Sequence, residues 1–447
     1  MADASRSKPS NRRPQILSGF RDHLPEQMLV RRQIIDTFRT IFERHGFDAI
    51  ETPALEHLEV LTGKAGENEK LMYQWEDAGG RNVGLRYDLT VPLARFVAVH
   101  ESEIVFPFKR YHIAPVWRAE KPQRGRFREF WQCDADIVGS PSMAADAEAI
   151  SIAAEALTAV GLPNFTVLIS HRRLLEGIAL SSGIPGELAG NVYRTVDKLA
   201  KIGAHGVRAE LIEAGVENDS ADRLLEAVTL TGNSDALLVS LKDRLAALPD
   251  GSKAVDELTE LFAILPALGV DRNAYKLDVS LARGLDYYTG PVFEAVVDEP
   301  RVGSVVGAGR YDGLVGSFAG RVIPATGMSL GLERIIEVVE EFKLLPMNRT
   351  VAEVMVAVFP KSVSQAAGIA KILRDSGLNV DLSLQSKKSV GEQLKYADRR
   401  GIPFVVIPGE AELERDEVLI KEIATGRQWT VSLSALSHEL RSAVDAR

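Results

Sequence analysis

Residues 109–139 read KRYHIAPVWRAEKPQRGRFREFWQCDADIVG. Lys109 to Ala114 and Arg128 to Val138 have the apolar, β-branched and aromatic content of extended chain. The segment between them, AEKPQRGRF, is polar, basic and interrupted by Pro122 and Gly125. Two antiparallel strands joined by a long basic loop are therefore expected. From Lys109 to Arg128 there are seven basic residues and one acid, Glu120. The loop is thus a concentrated positive patch in a chain whose net charge is −9, and a polyanion would have to be held there against the mean field.

Upstream, residues 1–16 read as a disordered arm. Val30, Ile34, Phe38, Ile41 and Phe42 recur at helical spacing from Glu26 and stop at Gly46, which predicts an amphipathic helix followed by a short strand, Phe47 to Glu51. Downstream, MAADAEAISIAAEALTAVG is an alanine-rich helix ending at Gly161, and Phe165 to Ser170 is a strand. Arg172 to Arg272 is helical throughout, broken at Gly183, Gly203, Gly215, Gly232 and Pro249–Gly251, and reads as an inserted helical subdomain. Strands return at Leu277 to Ser280 and Val292 to Val297; GSVVGAGRYDGL reads as a glycine-rich hairpin, and ATGMSLGLERIIEVVEEF as a strand entering a helix. Beyond Pro346, strands and helices alternate with short connections, which indicates a separate small α/β domain.

Composition bounds the function. The 447 residues are 45% apolar and 26% charged, ordinary values for a soluble globular chain of several domains. The longest uncharged stretch, Ala156 to Ser170, is broken by Gly161 and Pro163, so no membrane span is expected. The N-terminus lacks an apolar signal core, and Cys133 stands alone, so a disulfide or cysteine-zinc site is not expected and a cytoplasmic location is. No GxxxxGK[ST] loop occurs, and no HExxH. A nucleotide would have to be held by arginines instead: Arg118, Arg126, Arg283 and Arg334 lie beside glycines, carboxylates and aromatics in strand-like sequence. Planar guanidinium groups bind phosphate oxygens bidentately without a glycine loop.

KRYHIAPVWRAEKPQRGRFREF resembles the second signature motif of class II aminoacyl-tRNA synthetases, and TGMSLGLERI the third. LARGLDYYTGPVFEA, LRYDLTVPLARF, GAGRYDGLV and GFRDHLPEQMLVRRQII are similar to segments of the histidyl-tRNA synthetase family, in family order from Ser18 onward. The resemblance implies an α+β protein: a class II antiparallel-sheet catalytic domain with a helical insertion, and a C-terminal α/β anticodon-binding domain. Its boundaries would be residues 1–16 for the arm, 17–171 and 273–346 for the two catalytic parts, 172–272 for the insertion and 350–447 for the anticodon-binding domain. It also implies a homodimer, formed through the helix from Glu26 to His45, that charges tRNA(His).

By the same resemblance, Arg118 grips the α-phosphate of ATP and Arg283 supplies positive charge beside it. Glu120 and Phe130 hold and stack the adenine, and Arg126 and Arg334 clamp the γ-phosphate, with Mg²⁺ on the β- and γ-phosphates. No metal-ligating residues are assigned. Asp88, Thr90 and Gln132 would receive the ammonium of L-histidine, and Asp136, Tyr287 and Tyr288 its side chain. Lys121, Gln123 and Arg124 of the loop, and Lys387 and Lys388 further on, would touch tRNA. Cys133 reads as a small core residue. The alternative is the synthetase-like regulatory subunit of ATP phosphoribosyltransferase, which typically lacks the C-terminal domain and erodes the RGLDYYTG segment; both are present here.

Overall fold

The computed structural model describes residues 14–62, 70–282, 287–346 and 348–446. It forms two compact units: residues up to Asp22 with Ile34–Leu345, and His23–Gln33 with Pro346–Arg447. The architecture is α+β.

The first unit is built on an eight-stranded sheet. In spatial order its strands are Asp48–Ala49, Phe108–Trp117, Glu129–Val138, Ala325–Gly331, Val306–Arg310, Pro291–Val297, Phe165–His171 and Tyr275–Leu277. The two edge pairings are parallel and the other pairings antiparallel. The long pair on either side of the basic loop is in register from Phe108↔Val138 to Trp117↔Glu129, so Arg110 faces Asp136 and His112 faces Asp134. Alternate residues of a strand share a face, which places Gln132, Asp134 and Asp136 together.

The helix Met143–Ala159 starts at Ser142, whose side chain accepts the Ala144 N–H, and packs on the strands of this sheet. Its alanines are mostly buried; short side chains let the helix axis approach the sheet closely. Between the strands Phe165–His171 and Tyr275–Leu277 lie the helices Arg172–Ser181, Ala189–Val196, Leu199–Glu213, Asn218–Val228, Ser234–Arg244 and Pro249–Ile264, the stretch expected as a helical insertion. Two of them cross at Gly177 and Gly251, where a Cβ on Gly177 would lie 3.1 Å from the Gly251 Cα.

Three local expectations need correction. GSVVGAGRYDGL is not a hairpin: it is the strand Val306–Arg310 followed by the helix Asp312–Ala319. The strand after Gly46 is reduced to Asp48–Ala49, and the one expected at Leu277 to Ser280 is Tyr275–Leu277. A three-stranded sheet of Leu55–His57, Asn82–Leu85 and Gln74–Glu76, with the helix Thr90–Val99 after it, carries little local signal, because each strand is two turns of pleat or less.

The second unit carries a five-stranded sheet ordered Val380–Leu382, Val354–Val356, Phe404–Ile407, Glu417–Glu422 and Gln428–Ser432. Its first three strands are parallel and the last two antiparallel. Val354 and Val356 belong to one apolar cluster with Ala366 and Ile369, whereas Met355 and Ala357 belong to another with Ala397 and Ile402. Both faces are therefore covered, as a sheet with parallel strands requires. The helix Val390–Arg400 begins with a reciprocal Ser389–Glu392 capping box.

Candidate functional site

Arg118 leaves the strand Phe108–Trp117 and is fixed twice: its N–H donates to the Arg128 carbonyl and its Nε to the Tyr87 carbonyl, both at 2.9 Å. The guanidinium lies 5.1 Å from the centroid of the Phe130 ring. The basic loop then closes on itself, with Gln123 and Arg126 exchanging backbone hydrogen bonds of 3.1 and 2.9 Å. Gly125 at its tip has φ +69°, and a Cβ there would touch Arg334 Cγ at 3.4 Å. Arg126 lies 3.4 Å from the Glu120 carboxylate. Arg334, two residues into the helix Leu332–Phe342, donates to the Ser304 carbonyl. Arg128 donates to the Ser18 carbonyl at 3.1 Å, while Arg21 sits 3.3 Å from the Phe127 centroid and pairs with Glu333. Residues Ser18–Arg21 thus buttress the base of the loop.

The other end of the site is acidic. Asp88 is buried before the helix Thr90–Val99, where its Oδ1 accepts the Val91 N–H at 3.1 Å. Burial pushes its carboxyl up to about 6 against the pull of Arg118 and Arg110. Asp136 is gripped on both oxygens: Tyr311 donates its hydroxyl to Oδ1, and the fully buried Arg110 pairs with Oδ2 at 2.7 Å. Gln132 donates to Ser329 Oγ at 2.8 Å, which leaves its own carbonyl oxygen without a partner. Asp88 Oδ2, Asp134 Oδ1 and Asp136 Oδ2 are likewise buried without a hydrogen bond, the last beside its ion-pair partner Arg110. Burial also raises Asp134 and Asp136 above the usual carboxylate range. Tyr287 and Tyr288 stand edge to face with centroids 5.0 Å apart, and Tyr287 meets Tyr311 at 5.9 Å.

These residues share one cavity of about 740 Å³. Asp88, Thr90, Arg118, Glu120, Arg126, Phe130, Gln132, Asp136, Tyr287, Tyr288 and Arg334 all line it. Arg283 lies outside the described residues. Lys121, Gln123 and Arg124 are exposed beside the cavity, and Arg124 is tied to Glu337 and Glu341 at 3.0 and 2.9 Å. Lys387 and Lys388 are exposed on the second unit, just before the helix Val390–Arg400. Cys133 is buried and is not in a disulfide.

Sequence reasoning passes over several lining residues. Asp134 could have been found from the alternation that unites Gln132 and Asp136, and Tyr311 from the GAGRYDG segment. Arg172 and Tyr193 reach the cavity from the insertion, the guanidinium 4.1 Å from the ring centroid; no local motif marks them. Gly327–Gly331, GMSLG, has the spacing of a hydrolase nucleophile elbow. Ser329, however, sits inside the strand Ala325–Gly331 and is engaged by Gln132 and Asp134, not presented on a sharp turn beside a histidine.

An acidic pocket with unpartnered acceptors, joined to a cluster of arginines around an aromatic ring, suits an amino acid meeting a nucleoside polyphosphate. The family model of histidyl-tRNA synthetase matches residues 19–335, and that of the anticodon binding domain residues 345–443. The chain belongs to the histidyl-tRNA synthetase family. A histidine–tRNA ligase of Aeropyrum pernix is 45% identical over 427 residues, 94% of this chain and 96% of its own. One of Rhodopirellula baltica is 43% identical over 430 residues, covering 95% and 96%. Among solved structures, histidyl-tRNA synthetase from Nostoc sp. superposes with a TM-score of 0.87 at 33% identity, covering 96% of this chain and 99% of that one. A Bacillus halodurans protein described as an ATP phosphoribosyltransferase regulatory subunit/histidyl-tRNA synthetase superposes at 0.75 with 25% identity, covering 86% and 96%. The ligase-named relatives and the C-terminal family match do not favour the regulatory-subunit alternative. Among the described residues, no helix is long and apolar enough to cross a membrane.

Proposed function

We propose that the protein activates L-histidine with ATP and transfers it to the 3′ end of tRNA(His). The observation that carries this reading is the single cavity that joins the Asp88–Gln132 acceptors to Arg118, Arg126 and Arg334. The histidine carboxylate attacks the α-phosphorus, its new P–O bond replaces the bond to the β-phosphate bridge, and pyrophosphate leaves. The terminal ribose hydroxyl of tRNA then attacks the acyl carbon, and AMP departs. Arg118, held rigidly by Tyr87 and Arg128, stabilises charge gathering on the α-phosphate; Arg283 takes the same role by resemblance. Phe130 and Glu120 receive the adenine, and Arg126 and Arg334 the γ-phosphate.

Mg²⁺ enters as part of the ATP complex. Among the described residues no cluster of His, Cys, Asp or Glu could hold a metal, and Glu333 is taken by Arg21 and the Trp131 N–H. That donor set suits an ion carried mainly by phosphates and water. By resemblance, the loop residues Lys121, Gln123 and Arg124 take the acceptor end of tRNA, and Lys387 and Lys388 its anticodon. The domain division at 172–272 and 350–447, a homodimer built on the helix Pro25–Arg44, and a cytoplasmic location complete the proposal. Histidine-dependent exchange of labelled pyrophosphate into ATP tests it: exchange with histidine alone among the amino acids is expected, and its absence in a folded, histidine-binding protein refutes the assignment.

A further inference from the structure

Arg21 stands outside the cavity, yet it touches two segments of its arginine-lined end. Its guanidinium lies 3.3 Å from the centroid of the Phe127 ring and pairs with Glu333. Phe127 follows Arg126 on the basic loop, and Glu333 precedes Arg334 in the first turn of the helix Leu332–Phe342. Phe127 and Glu333 line the cavity, whereas Arg21 approaches both from behind. The contacts on either side are fixed. Glu333 is 5% exposed, and its second oxygen accepts the Trp131 N–H at 3.2 Å, which ties the helix start to the strand Glu129–Val138. Arg21 is delivered by a pinned backbone: the Gly19 carbonyl accepts the Arg128 N–H at 2.9 Å, and Phe20 packs on Tyr73 with centroids 6.2 Å apart. Gly19 has φ +86°, and a Cβ there would fall 2.8 Å from Arg128 Cγ, so this approach of the segment to the loop needs glycine. Arg126 by contrast is half-exposed, and its 3.4 Å pair with Glu120 is a weak restraint.

We propose that Arg21 is a positioning residue for ATP binding, a single guanidinium that sets the spacing of Arg126 and Arg334 by holding Phe127 with its planar face and Glu333 with its charge. The inference rests on the reading of Arg126 and Arg334 as the phosphate clamps. Two guanidinium groups grip one phosphate group only when both are held at the right separation, and a loop free to drift loses that advantage. The planar face and the charge do different work. The ion pair neutralises a buried carboxylate and so supports the fold; the stack on Phe127 is what draws the loop toward the helix.

The test measures binding of MgATP and of L-histidine by calorimetry, beside thermal melts, on the full-length wild type, Arg21→Met and Arg21→Lys. Arg21→Met is expected to weaken MgATP binding about tenfold and to leave histidine binding within about threefold. Histidine is spared because Asp88 is held by the Val91 N–H and Gln132 by Ser329, contacts in which Arg21 has no part. Arg21→Lys keeps a charge for Glu333 but offers Phe127 no planar face. It should therefore restore the melting midpoint while recovering little of the MgATP affinity, and it carries the test if Arg21→Met folds poorly. Equal weakening of both ligands, unchanged MgATP binding, or full recovery of MgATP binding by lysine overturns the inference. Wild-type protein that binds both ligands without exchanging pyrophosphate would instead count against the proposed activity and leave this assignment standing.

Discussion

Arg110 and Asp136 form a buried ion pair 2.7 Å apart on adjacent strands, and Arg110 has no solvent exposure. Removing one partner of such a pair leaves an uncompensated charge, which typically costs about 3–5 kcal/mol. Asp136→Ala should therefore lower the denaturation midpoint markedly as well as weaken histidine binding; urea melts alongside binding isotherms check both. A large loss of affinity with an unchanged midpoint would assign Asp136 to the ligand alone. Asp88 behaves differently, because burial raises its pKa to about 6 and no arginine pairs with it directly. The folded protein then binds more protons than the unfolded chain between roughly pH 4 and 6, so this group's contribution to stability falls as pH rises through that window. Arg118, Arg110, Asp134, Asp136, Tyr287 and Tyr288 are charged or titratable groups that act on it. Relative to Asp88→Asn, wild-type stability should decline from pH 4 to 6 and level off above about 7. A pH-independent difference between the two proteins would refute the account.

At the scale of elements, the sheet imposes small residues where carboxylates cross it. Gly327 pairs with Asp136, and a Cβ on Gly327 would fall 2.1 Å from the Asp136 Oδ1 and 2.8 Å from the Ala135 carbonyl oxygen. The second contact is with backbone and cannot swing away. Gly327→Ala should displace Asp136, raising the KM for histidine at least about tenfold with a smaller change for ATP; steady-state exchange kinetics measure this. The same strands show what sequence can and cannot reveal. Alternation in EFWQCDADIV marks the strand and sorts Gln132, Asp134 and Asp136 onto one face, so the acidic floor was legible in principle. GSVVGAGRYDGL misleads because its glycines imitate a turn. Gly309 is instead a packing glycine: a Cβ would sit 2.9 Å from both the Tyr288 ring and the Pro291 carbonyl oxygen. Arg172 and Tyr193 were invisible, since their place in the cavity depends on how the insertion folds back, a long-range fact with no periodicity of its own. The phosphate-binding roles proposed for Arg118, Arg126 and Arg334 rest on family resemblance, because an arginine beside a strand has no local signature of phosphate binding.

For the whole molecule, a net charge of −9 means that any polynucleotide must be gathered by patches. On the second unit, Lys387 and Lys388 sit on the exposed turn before the helix Val390–Arg400, whose exposed Lys395, Arg399 and Arg400 extend the positive surface. Lys388 is 3.0 Å from Glu392, a surface pair that a phosphate can displace at little cost. Lys387 has no ion pair among the described residues. Phosphate contacts contribute through counterion release, and each one lost reduces the slope of log affinity against log salt by about 0.7 for single-stranded nucleic acid. The double substitution Lys387→Glu with Lys388→Glu should leave histidine-dependent pyrophosphate exchange unchanged, because the adenylation cavity lies wholly within the first unit. It should raise the KM for tRNA about tenfold at low salt and flatten the salt dependence by about 1.4 in slope, so that wild type and variant converge as salt rises. Aminoacylation kinetics across a salt series decide the matter: a uniform loss at all salt concentrations would mean that the turn is structural, and an unchanged KM would place the RNA on another face of this unit.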